Sequence, residues 1–172
     1  NGLVAPGFPS LGMSTSLTTV ANEAFADSPM ELRADWTAGH DGYFREPGGH
    51  YHVEICPSKP GGTELIFDWR RQVFEAFQGI ELDYVWLWPY DQGGCTCDHC
   101  APWGINGFLR LAQPLADLAR AYFPGIKVVL STWYFDLFTT GEWEGLARYA
   151  NINKVSAKRS LDWVDYLLAD FV

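Results

Sequence analysis

The chain switches repeatedly between two hydrophobic periods. Residues 17–22 (LTTVAN), 51–56 (YHVEIC), 82–88 (LDYVWLW) and 127–133 (KVVLSTW) are short apolar or β-branched runs, a strand pattern. Between them, Leu65, Ile66, Trp69, Val73, Phe74 and Phe77 fall at helical spacing over residues 63–77. Residues 106–123 repeat the pattern with Leu109, Leu111, Leu115, Leu118 and Tyr122, with Asn106 as the cap and Pro124-Gly125 as the stop. Ser28-Pro29 followed by Glu31 predicts a helix start that runs to about residue 36. A short helix is expected over 142–149, a weak strand near 152–155 and a final helix over 161–172. Residues 37–49 carry Gly39, Gly42, Pro47, Gly48 and Gly49, a loop long enough to suggest a binding role.

Strands that alternate with helices at this spacing imply parallel strands with crossover helices. Two features favour a barrel over an open doubly wound sheet. No glycine-rich turn joins the first strand to its helix, as a dinucleotide site requires. Each strand also ends in polar or aromatic residues, which suits a barrel mouth lined by many loops. The expected class is therefore α/β, a parallel (β/α) barrel with the four strands adjacent in chain order. A full barrel takes ~250 residues, so 172 residues correspond to an incomplete TIM barrel of about four to five βα units. The chain opens on Asn1 and closes on Phe171-Val172 within an apolar pattern. Residues 1–172 are thus expected to be one partial barrel domain, truncated at both ends, with the remainder of its own barrel as a partner.

Composition narrows the function. A net charge of −9 argues against nucleic acid or an acidic lipid surface, because both need clustered Lys and Arg. No apolar run reaches the ~18 residues of a membrane span. No signal peptide is visible, but both ends look like cuts, so an exported or periplasmic and a cytoplasmic location both stay open. Aromatic residues make up 16% of the chain, and many stand at or just past strand ends. One reading is a large aromatic core. The sharper one is a sugar-binding cleft, since aromatic faces stack on the C–H faces of pyranose rings. Position favours the cleft for Trp88, Tyr90 and Trp133, with Asn22 and His40 as further substrate-binding candidates.

Three carboxylates follow three strands. Asp91 lies past the most apolar strand, Asp136 past the 127–133 strand and Glu23 past the first. Carboxylates at several strand ends converge on one barrel mouth, and glycoside hydrolysis uses such a pair flanking the bond. A partly desolvated Asp91 beside aromatic rings would have a raised pKa and act as the acid. The competing readings are an Asp91 that caps the Gly93-Gly94 turn, an Asp136 that caps the loop ahead of Glu142, and a surface Glu23. His50 and His52 sit at a strand start, the wrong end for barrel catalysis, and read as structural. There is no G-x-S-x-G elbow and no phosphate loop.

Cys95, Cys97 and Cys100 form C-x-C-x-x-C, and Cys56 ends the preceding strand. The two segments should meet at one face and form a closed structural zinc site, with His99 as a substitute ligand. Two disulfides or free thiols are the alternatives.

The run LWPYDQGGCTCDHCAPWGINGFLR (87–110) resembles the segment after a central strand in bacterial glycoside hydrolases of the α-glucuronidase and β-N-acetylhexosaminidase type. It also resembles uncharacterised hydrolase-like proteins with a C-x-C-x-x-C loop. In the hexosaminidases an Asp-Glu pair closes the equivalent strand; here the pair is Asp91-Gln92, and Gln92 cannot donate a proton as a carboxylic acid does. The resemblance implies a carbohydrate-active barrel without fixing the sugar. Three functions follow as expectations: a glycoside hydrolase-like enzyme, a non-catalytic carbohydrate-binding barrel, or a metal-dependent hydrolase of another class.

Overall fold

The computed structural model describes residues 12–24, 28–34, 53–90, 94–137, 139–151 and 161–169. Its elements are β1 (Ser16–Val20), β2 (Glu23–Ala24), a 3-10 turn (Met30–Leu32), β3 (Val53–Glu54), α1 (Gly62–Ala76) and β4 (Tyr84–Trp88). A π-helical turn (Gly104–Phe108) then leads into α2 (Leu109–Tyr122), followed by β5 (Lys127–Ser131), α3 (Glu142–Asn151) and β6 (Tyr166–Leu168). The class is α/β: four strands form one parallel sheet in the order β1-β4-β5-β6.

Register sorts the strand residues onto two faces. Leu17, Val85 and Val128 are aligned, as are Thr19, Leu87 and Leu130. Val85, Leu87, Val128 and Leu130 are all fully buried. Helix α2 packs on β4 and α1 packs on α2, so this is the helix-covered face. Helix α1 buries Gly62, Ile66, Arg70 and Phe74, four positions on one stripe, and α2 buries Leu111, Ala112, Leu115, Ala116 and Ala119. Tyr84, Trp86 and Trp88 alternate to the opposite face and are only half-buried.

Four expectations are corrected. The 51–56 strand does not join the parallel sheet: β3 pairs antiparallel with β2, and Arg33 extends the pairing through a bridge to Ile55. Its neighbours are residues that follow β1, reached by the Ile55 N–H donating to the Asn22 carbonyl at 2.8 Å. The helix expected from Ser28-Pro29 is only the three-residue turn, because Arg33 is already extended. The final segment holds strand β6 where the apolar pattern suggested helix, since Tyr166–Leu168 finds an open partner in β5. Asn106 lies inside the π-helical turn, and its side chain donates to the Ala101 carbonyl at 2.6 Å. The expected strand near 152–155 and the 37–49 loop lie outside the described residues.

Candidate metal centre and strand-end site

Chain reversal after β3 builds the first half of the candidate metal centre. Cys56 is buried, and its N–H donates to the Leu32 carbonyl at 2.9 Å. The following turn is tight enough that a Cβ at Gly62 would lie 2.1 Å from the Cys56 carbonyl oxygen. Two helices brace the turn at one atom: Thr63 Oγ1 and Arg110 Nη2 donate to the Pro57 carbonyl at 2.9 and 2.7 Å. Lys59 Nζ ties it to the Arg33 carbonyl at 2.6 Å.

The loop after β4 supplies the other half. The Cys97 carbonyl accepts from both Cys100 N–H and Ala101 N–H at 2.9 Å, which curls Cys97 and Cys100 toward one point. Cys56, Cys95, Cys97 and Cys100 all place their sulfurs within 4.8 Å of one another. Cys56 Sγ lies 3.7 Å from Cys97 Sγ and 3.9 Å from Cys100 Sγ. Four sulfurs about a tetrahedral ion with bonds of about 2.3 Å would stand roughly 3.8 Å apart, so the set can hold a metal ion. None of the four cysteines forms a disulfide, and these separations are far beyond the ~2.05 Å of an S–S bond. His99 is not among the atoms gathered here. Hydrogen bonds from Cys100 and Cys95 hold the Cys56 thiol well below its usual range, while the bond to Cys56 pushes Cys100 up. Ser58 Oγ, 3.2 Å from Cys100 Sγ, adds a hydroxyl beside the cluster.

Strand ends bring a second set of residues together. Trp88 closes β4, and its ring lies 5.3 Å from that of Trp133 and 6.4 Å from that of Trp86. Trp133 stacks on Tyr134 at 4.3 Å and 29°. Trp88 and Trp133 are half-buried. Tyr90 is fully buried, with its hydroxyl donor shared between the Tyr134 carbonyl at 2.6 Å and Glu142 Oε2 at 2.9 Å. Burial and the adjacent Glu142 push the Tyr90 phenol well above its ordinary pKa. Asn22 is also fully buried; its Nδ2 donates to the Ile55 carbonyl at 3.1 Å and its Oδ1 has no partner.

The carboxylate candidates separate. Glu23 lies in β2 opposite Glu54, and its carbonyl accepts from the buried Arg70 at 3.1 Å. Asp136 is exposed, and its Oδ1 accepts from the Glu142 N–H at 2.6 Å, the capping alternative. Asp91 and His40 lie outside the described residues.

One residue had no signal beyond its place in a helical pattern. Glu142 opens α3 and is fully buried. Its Oε1 accepts from Gly104 N–H at 2.7 Å, and its Oε2 from Asp136 N–H and the Tyr90 hydroxyl, both at 2.9 Å. Burial raises its pKa despite these three donors. Buried carboxylates are rare unless so satisfied.

Comparison with protein-family models, with curated proteins and with solved structures finds no match. Among the described residues, no helix is long and apolar enough to cross a membrane.

Proposed function

We propose that this chain forms part of a (β/α) barrel that acts on carbohydrate as a glycoside hydrolase-like enzyme, with a structural zinc ion in the four-cysteine centre. The observation that carries the reading is the Trp86–Trp88–Trp133–Tyr134 cluster around the C-terminal ends of β4 and β5. Such a surface suits the apolar faces of sugar rings, and in barrels that end of the sheet is where ligands bind. The sheet order supports the barrel. Parallel strands follow chain order with no reversal, whereas a doubly wound sheet reverses at its switch point. Buried polar atoms without partners, Trp86 Nε1, Trp133 Nε1 and Asn22 Oδ1, fit a site built for hydroxyl groups.

In this reading Asp91, next to the anchored Tyr90, is the general acid. The candidate partner carboxylates are Asp136, which accepts from the Glu142 N–H through one oxygen, and Glu23, which stands near the buried Arg70. The zinc would be held by Cys56, Cys95, Cys97 and Cys100. Its chemistry is structural: four thiolates close the coordination shell, which disfavours a metal-dependent hydrolase that needs an open position.

The test is Asp91→Asn in the full-length protein, assayed on glycosides with poor and with activated leaving groups. Turnover with poor leaving groups should fall ~100-fold or more, and activated aryl glycosides should suffer less. Equal, undiminished turnover on both would remove Asp91 from the mechanism. A wild type that binds oligosaccharides without cleaving any would be a carbohydrate-binding barrel.

A further inference from the structure

We infer that Glu142 is a positioning residue for the strand-end site: one buried carboxylate fixes Tyr90 just past β4, the start of the α2 run and the turn after β5 in a single arrangement. The role rests on the proposed carbohydrate reading only for what the site binds; the geometry stands without it.

Each contact acts on a segment that carries a site residue. Tyr90, held through its hydroxyl, immediately precedes Asp91 in the chain. Gly104 N–H, held by Oε1, begins the π-helical turn that follows the cysteine loop. Asp136 N–H, held by Oε2, belongs to the turn that presents Trp133 and Tyr134. That turn is strained: Tyr134 and Asp136 both have positive φ, 55° and 67°. Non-glycine residues pay for the left-handed region and stay there only when their surroundings fix them. The fixing contacts here are the Tyr90 hydroxyl on the Tyr134 carbonyl and the Glu142 carboxylate on Asp136 N–H.

Packing leaves this carboxylate no slack. A Cβ on Gly104 would fall 2.9 Å from Glu142 Cβ and 2.8 Å from Phe135 Cζ, so the turn after β5 and the π-helical turn are in direct contact. Phe135 is itself buried between Phe108 and Trp143, edge-on to the first at 6.3 Å and to the second at 5.6 Å. Glu142 also faces the N-terminal end of the α2 run, where a negative charge is favoured. An amide cannot replace it: whichever way Gln is turned, its NH2 meets at least one N–H or O–H donor.

The experiment uses Glu142→Gln and Tyr90→Phe in the full-length protein. The readouts are near-UV circular dichroism, far-UV circular dichroism, metal content and binding of cello-, xylo- and chito-hexaose. Glu142→Gln should keep its helical signal and metal, yet lose near-UV aromatic signal as Trp133 and Tyr134 leave their stack on relaxation of the turn. Tyr90→Phe should shift the signal in the same direction by less. If Glu142→Gln does not fold, Tyr90→Phe alone decides. Unchanged near-UV spectra in the folded variants would overturn the proposal, as would altered spectra with hexaose affinity equal to wild type. If wild type binds no hexaose, the carbohydrate reading fails, and the spectra still decide whether Glu142 positions the turn.

Discussion

Asp136 and Glu142 cap one another across the turn that joins β5 to α3. The Glu142 N–H donates to Asp136 Oδ1 at 2.6 Å, and the Asp136 N–H returns a bond to Glu142 Oε2 at 2.9 Å. The exchange satisfies two donors reciprocally, as in a capping box. Asp136→Ala should therefore destabilise the protein by about 1 kcal/mol, the usual loss for a cap. Asp136→Asn, which keeps an acceptor, should lose less. Urea unfolding of the three proteins checks the order; equal midpoints for Ala and wild type would show that the cap contributes nothing.

Trp103 sets a second prediction. Its ring is buried, its Nε1 donates to the Pro89 carbonyl at 2.7 Å, and two glycines flank it. A Cβ on Gly107 would lie 1.9 Å from the ring, and one on Gly94 would lie 2.4 Å from it. Gly94 also has φ of 67°. The glycine here yields to an indole of the same chain. Gly107→Ala should cost about 1–3 kcal/mol through overpacking. Gly94→Ala should add left-handed strain to the same clash. Thermal unfolding with far-UV detection measures both, and an alanine variant as stable as wild type would contradict this account of the cradle.

Much of this architecture was legible because local pattern and tertiary role agree. Residues 63–77 and 142–149 carry helical periodicity that the sheet then exploits, and α1 and α3 form there. The β4 run is apolar on both faces because one covers helices and the other carries Trp86 and Trp88. The meeting of Cys56 with Cys95, Cys97 and Cys100 was readable from thiol chemistry, since isolated surface cysteines have no reason to cluster. The 51–56 strand misled because an apolar run does not name its partner: β3 pairs with β2, a choice made by the chain after β1. Residues 161–172 misled because a short apolar stretch fits either period, and an open edge at β5 selected strand. Glu142 was hidden for another reason. Nothing local separates a buried carboxylate from the many solvated ones at helix starts; its donors come from Tyr90 and Gly104, distant in sequence.

Removing the metal supplies a third prediction. Four thiolates within 4.8 Å repel one another strongly unless a cation or protons sit among them. The purified protein should hold one tightly bound zinc per chain, with Cys56→Ser losing it. Chelation should also lower thermal stability, because an ion bound there would link the turn after β3 to the loop after β4. Elemental analysis before and after chelation, together with melting curves, provides the measurement. Metal-free protein with an unchanged melting temperature would reduce the cluster to packed thiols.

The last prediction concerns Asp165, which fastens β6 to β5. Asp165 Oδ2 accepts from the Val128 N–H at 2.8 Å and from Arg120 Nη2 at 3.0 Å, and Lys127 Nζ stands 3.5 Å from Oδ1. Its own N–H donates to the Val128 carbonyl at 3.0 Å, so Asp165 brackets Val128 from both sides. Burial pushes this carboxyl up, but the Val128 N–H, Lys127 and Arg120 together outweigh it and hold the pKa below the ordinary carboxylate range. A carboxyl depressed in the folded state adds stability that is fully present above its unfolded pKa, about 3.9. That stability is lost as pH falls through the folded value. Lys127 and Arg120 remain partly exposed, so solvent screens their share and the backbone bond should dominate. Asp165→Asn should thus lose about 1–2 kcal/mol at pH 7. The gap between variant and wild type should narrow steadily below about pH 4 as the wild-type carboxyl takes up its proton. Urea unfolding of both proteins from pH 7 down to about pH 3 tests this. A gap that stays constant across that range would assign the loss to packing at β6 instead of to the charge on Asp165.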